Sequence, residues 1–166
     1  MQRAIASLLT AFALAACGGA PEAARTGDEP LLPEDRLALP EYDLEQYRAL
    51  IDELEGAPVV VNVWGSWCPP CEAEAPALAE VSAELEGRAQ FLGIDILDAR
   101  EAARDFILKY DWQYPSIFDP RGTVRDGLGY VGQPITIVYD AGGEVAWDHT
   151  GAINAEMLRE QVEAVL

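Results

Sequence analysis

The sequence predicts one α/β domain, a three-layer sandwich with a mixed central sheet flanked by helices. Short β-branched runs alternate with segments of helical periodicity, and the last two apolar runs are joined by a glycine-rich link short enough for a hairpin. Half of the 166 residues are apolar, enough to bury a single core. The net charge of −18 repels nucleic acid and acidic lipid head groups, so no nucleic-acid partner is expected.

Each element follows from local chemistry. Residues 1–16, MQRAIASLLTAFALAA, carry one early positive charge and then an apolar run from Ala4 to Ala16. The run is too short to span a bilayer, and it is expected to be a cleaved secretory signal. Residues 17–39, rich in Ala, Pro, Glu, Gly and Asp, are expected to form a flexible tether, and residues 40–166 the folded domain. After Asp43, a capping residue, Leu44, Tyr47, Leu50, Ile51 and Leu54 recur at helical spacing until Gly56 ends the segment. PVVVNVW is then a strand buried on both faces, expected to be central and parallel. A helix from Pro69 to Glu86, a strand Ala89–Ile96, a helix Asp98–Asp111 and a short strand in PSIFD follow. Beyond a Gly-rich connection, ITIVYD and EVAWDHT form strands linked by AGG. The closing segment INAEMLREQVEAVL is helical, with Ile153, Met157, Leu158, Val162 and Val165 on one face.

The chemistry concentrates at Cys68-Pro69-Pro70-Cys71. A structural zinc needs four ligands, and the only other soft candidates are His149 and Cys17, so no metal site is expected. A purely structural disulfide across so small a loop would remove little chain entropy. Pro69 at a first helical position forfeits no hydrogen bond, because that N–H has no intrahelical partner. Cys68 would then sit at the N-cap, where free N–H groups and the positive end of the helix dipole favour thiolate. Cys68 is therefore the expected attacking thiol, and Cys71, one turn inside, the resolving thiol. Behind a secretory signal the two can persist as a Cys68–Cys71 disulfide.

Two stretches resemble known families. LAAC, Leu14 to Cys17, is similar to the lipobox of bacterial lipoproteins, which implies a lipid anchor on Cys17 at the cell envelope membrane. Trp67-Cys68-Pro69-Pro70-Cys71 after an apolar strand resembles the thioredoxin-like fold, and more narrowly the TlpA/ResA/CcmG (DsbE) group of thiol-disulfide oxidoreductases, over roughly Leu37 to Leu166. Trp64 and Trp67 match its aromatic positions, Pro76 its helix-kinking proline, and Tyr114 to Gly122 its YP…D..G stretch. Pro134 falls at its cis-proline, which implies that Pro134, the backbone of Gln133 and Trp67 contact the substrate. Glu74 matches a buried acid near the cysteines, which implies a proton shuttle for Cys71. Asn62 stands where plain thioredoxins carry a buried aspartate, and Ile135 where many CcmG-type members carry a glutamate.

The resemblance implies an extracytoplasmic enzyme with no cofactor. It would reduce disulfides of envelope proteins such as apocytochrome c, with electrons from a membrane donor of the DsbD/CcdA type. Two alternatives stand beside it: an oxidase of secreted proteins, and a copper chaperone using Cys68, Cys71 and His149. The copper-binding Sco-type proteins space their cysteines by three residues, whereas two separate these.

Overall fold

The computed structural model describes residues 32–166. The expected signal peptide, Cys17 and the tether as far as residue 31 lie outside the described residues. In chain order the elements are α1 (Leu44–Glu53), β1 (Val59–Trp64), α2 (Pro69–Glu84), β2 (Gln90–Ile96), α3 (Arg100–Lys109), β3 (Ser116–Asp119), α4 (Thr123–Gly127), β4 (Ile135–Tyr139), β5 (Val145–Thr150) and α5 (Ala155–Glu163). The five strands form one sheet in the order β3-β2-β1-β4-β5. β1 is central, with every residue buried on both faces, but it is parallel only to β2 and antiparallel to β4. The β4–β5 hairpin brings the chain back beside β1 in reverse, which makes the sheet mixed.

Period-two alternation along the strands divides the core into two layers. Val60 and Trp64 of β1 and Val138 of β4 pack with the apolar faces of α2, α3 and α5. Val59, Val61 and Val63, with Leu92, Ile94 and Ile96 of β2, pack with α1 and α4 on the opposite face. α1 begins at a reciprocal capping box: the Asp43 carboxylate accepts from the Gln46 N–H at 2.8 Å, and the Gln46 side chain accepts from the Asp43 N–H at 2.9 Å.

The folded body starts earlier than the expected boundary at residue 40. Leu39 is fully buried, Leu37 packs against the α2 layer and Leu32 against the α1 layer. Arg104 Nε donates to the Leu37 carbonyl at 2.9 Å and Arg100 Nε to the Leu39 carbonyl at 3.0 Å. Those two arginines, far along the chain, supply the hydrogen bonds that let a segment of tether-like composition leave water. The Gly-rich connection before β4 also holds a short helix, α4. Its first amides are capped by the Asp119 carboxylate, which accepts from Thr123 N and Val124 N at 2.8 Å each. Met157, expected on the buried face of α5, lies at the surface, while Leu158 and Val162 are buried and Ala155 and Val165 pack against the same layer.

Gly93 of β2 shows how tightly the α2 layer is packed. A Cβ there would stand 2.1 Å from Ser116 Oγ and 2.7 Å from Trp64 Nε1. Both neighbours are buried. Gly93→Ala is expected to destabilise the fold by about 1–3 kcal/mol, the range for overpacking, which denaturant unfolding would measure.

Candidate active site

Cys68 is the N-cap residue of α2, with extended backbone and Pro69 and Pro70 as the first helical residues. Its Sγ accepts a hydrogen bond from the Cys71 N–H at 3.2 Å, so an unpaired amide of the first helical turn points at the sulfur. The two cysteines form a disulfide, with Cα atoms 5.2 Å apart. Cys68 is 2% exposed and Cys71 wholly buried, while Trp67 beside them is 48% exposed. The Gln133–Pro134 peptide bond is cis, at the start of β4.

Glu74, one turn beyond Cys71, is buried and Glu72 is not, as the helix period requires. Glu72 faces outward to Lys109 and Tyr110. Glu74 Oε1 accepts from Asn62 Nδ2 at 2.8 Å, and Oε2 from the Ile153 N–H at 3.0 Å. Burial pushes its carboxyl up from 4.5 to about 7, against these two hydrogen bonds, which favour the charged form. Asn62 also reaches Thr136 Oγ1 at 3.4 Å, while its Oδ1 has no hydrogen-bond partner. The amide can rotate to present that oxygen to a protonated Glu74, so both charge states of the acid can be accommodated. Burial, and then the charge of Glu74, raise the hydroxyl of Tyr114 well above the ordinary range for tyrosine.

The loop between β1 and α2, Gly65 to Trp67, is tied to the end of β2. The Asp98 carboxylate accepts from Ser66 N at 2.6 Å and from Ser66 Oγ at 3.0 Å. Trp67 Nε1 donates to the Ile96 carbonyl at 3.3 Å. On the other side, Arg125 of α4 donates to Gln133 Oε1 at 3.3 Å, so the Asp119 cap orients a residue that steadies the loop before Pro134. Asp98 and Arg125 escaped the sequence reading because their spacing belongs to no motif and their partners lie on other elements. Asp95, alone in the apolar run FLGIDI, was the one visible signal on β2.

The structure thus brings Cys68, Cys71 and Glu74 together on α2, with Asn62 beneath them. His149 is not part of this group: it lies in β5 and stacks on Trp147, ring centroids 5.7 Å apart. Among the described residues, no three His, Cys, Asp or Glu side chains are grouped to hold a metal. No described helix is long and apolar enough to cross a membrane.

Residues 36–148 match the AhpC/TSA family. The thiol-disulfide oxidoreductase ResA of Halalkalibacterium halodurans is 31% identical over 124 residues, 74% of this chain and 70% of that one. The thiol:disulfide interchange protein DsbE of Xylella fastidiosa is 33% identical over 115 residues, 69% of this chain, and the match spans only 57% of that relative's length. Among solved structures, a secreted Mycobacterium tuberculosis disulfide oxidoreductase homologous to E. coli DsbE superposes with a TM-score of 0.64 at 27% identity. It covers 80% of this chain and 99% of that one, and the fold shared is the thioredoxin-like sandwich.

Proposed function

The chain belongs to the AhpC/TSA family of thioredoxin-like proteins, and from that premise we propose that it is an extracytoplasmic thiol-disulfide oxidoreductase working through Cys68 and Cys71. The observation that carries the reading is a disulfide whose outer sulfur caps a helix, with a buried acid one turn further in. The names of ResA and DsbE support the same activity.

In the reducing direction, the Cys68 thiolate attacks one sulfur of a substrate disulfide. A mixed disulfide forms and the second substrate sulfur leaves as a thiolate that takes up a proton. Glu74, raised to about 7 and so increasingly ionised as pH rises through neutrality, accepts the proton of Cys71. The Cys71 thiolate then attacks Cys68 Sγ and releases the reduced substrate. Two electrons have passed to the substrate, and Cys68–Cys71 is left oxidised. Trp67 and the backbone of Gln133 before Pro134 are the proposed contacts for an extended substrate segment. A lipid on Cys17, at the end of a signal peptide of residues 1–16, would hold the enzyme at the envelope membrane. A membrane donor of the DsbD/CcdA type would re-reduce it, and disulfides of envelope proteins, apocytochrome c first, are the proposed substrates.

The direction is tested by the midpoint potential of the domain, read by thiol trapping across redox buffers. A value at or below about −230 mV is expected for a reductase. A value of about −120 to −180 mV would instead make the protein an oxidase or isomerase.

A further inference from the structure

One exposed leucine sits in a conformation that its own stability does not favour. Leu97, just past the end of β2, has φ of 52°, in the left-handed region that glycine adopts freely and leucine does not. Leu39 shares such a φ but is fully buried, and Asp111 is of a residue type that tolerates it. Leu97 is 46% exposed, so burial offsets little of the cost of its backbone. A lone exposed leucine is ordinary, but one held in an unfavourable conformation beside a reacting group points to a role there.

Its place in the fold says what that role is. β1 and β2 run parallel and end together at the pair Trp64 and Asp95, so the loop to Cys68 and the turn at Leu97 leave the sheet at the same end. β4, antiparallel to β1, begins at that end too. Trp67 Nε1 donates at 3.3 Å to the Ile96 carbonyl, part of the peptide group that leads into Leu97. Asp98, next along, accepts from Ser66 N and Oγ, and the Leu97 N–H donates to the Asp119 carbonyl at 3.2 Å. Bonds from three partners therefore hold the turn against the Ser66-Trp67 loop. On its far side Leu97 Cδ2 lies over Gly122, 3.7 Å from where a Cβ would stand. Arg125, three residues on, braces Gln133, and Val131 in the loop before it is 86% exposed.

We propose that Leu97 is a specificity-determining residue. With Trp67 it forms an apolar ledge, continuous with the disulfide, that receives an apolar side chain next to the cysteine of a polypeptide substrate. The proposal rests on the oxidoreductase reading and narrows its substrate class. The net charge of −18 repels an acidic segment, so the occupant is apolar beside its cysteine and not acidic. Holding the ledge in place before the substrate arrives lowers the ordering cost of binding, which is what the bonds to Trp67, Ser66 and Asp119 achieve.

The test gives the fully reduced chain one of two synthetic peptides, each closed by a single disulfide and carrying either leucine or serine beside its cysteines, and follows their reduction by chromatography. Wild type is expected to reduce the leucine peptide with a second-order rate constant about tenfold above that of the serine peptide, the low end of what one apolar contact contributes to discrimination. In Leu97→Ser and Leu97→Gly that ratio should fall towards one. Val145→Ser is the control and should keep the wild-type ratio. Val145, also exposed, pairs with Tyr139, which pairs with the first residue of β1, at the opposite end of the sheet. Leu97→Gly should unfold at no lower denaturant concentration than wild type, because glycine takes the left-handed backbone freely. A leucine kept for packing would give the reverse, a lower midpoint with the peptide ratio unchanged. The proposal is overturned by that result, by a wild type that reduces both peptides alike, or by a preference that survives in both Leu97 variants. In each of these cases the exchange itself leaves the oxidoreductase reading standing, whereas no exchange with either peptide would remove that reading and the proposal with it.

Discussion

Replacing Cys68 by serine is expected to abolish disulfide exchange, whereas Cys71→Ser should halt it half-way with substrate bound to Cys68. The asymmetry follows from helix geometry rather than from exposure, since both sulfurs are nearly buried. Cys68 stands outside the first turn, and its sulfur receives an amide hydrogen that stabilises negative charge. Cys71 lies within the turn and supplies that amide. A serine at position 68 has no thiolate chemistry to offer at neutral pH, so exchange drops to the uncatalysed background. A serine at position 71 leaves the attack intact and removes the step that resolves the mixed disulfide. Non-reducing electrophoresis of cell extracts should reveal adducts with Cys71→Ser and none with Cys68→Ser. The reverse pattern would assign the attack to Cys71.

Glu74→Gln is expected to separate stability from activity. The folded-state value of Glu74 is raised from 4.5 to about 7 by burial. Between those values the unfolded chain has released the proton and the folded chain still holds it, so folding stability falls as pH rises through the window. Glutamine does not titrate, and its amide can serve Asn62 Oδ1 while its oxygen accepts from the Ile153 N–H. The variant should therefore gain stability over the wild type between about pH 4.5 and 7, by roughly 3 kcal/mol at the upper end, and hold that gain above it. Exchange should move the other way. Losing a group that accepts the proton of Cys71 costs on the order of 10²-fold, and the inflection near pH 7 should vanish from the rate profile. Denaturant unfolding and single-turnover kinetics across pH would measure both. An unchanged rate profile would leave Glu74 a structural acid.

Much of the site was legible because its chemistry is local. Cys68, Pro69 and Pro70 announce a helix start by themselves, and Glu74 follows Cys71 at the spacing that shares a helix face. Asn62, marked in the sequence by standing where plain thioredoxins carry a buried aspartate, donates to Glu74 from β1. What could not be read was anything set by a partner distant in the chain. Residues 32–39 have the composition of a tether and are folded because α3 presents arginines and an apolar surface to them. Ser66 is an ordinary loop serine until the turn at Leu97 delivers Asp98 to it.

The order of strands and of the helices other than α4, the dithiol and its helix, and the acid one turn beyond were determined by sequence alone. Each depends on dihedral preference, capping or a period of two or 3.6 residues, and all of these act within a few positions. Tertiary structure decided the antiparallel pairing of β1 with β4, the burial that raises Glu74 and Asp95, and the ties that hold Ser66 and Gln133. Burial and electrostatic shifts depend on which groups surround a side chain in space, and those neighbours come from elements that only the folded sheet brings together.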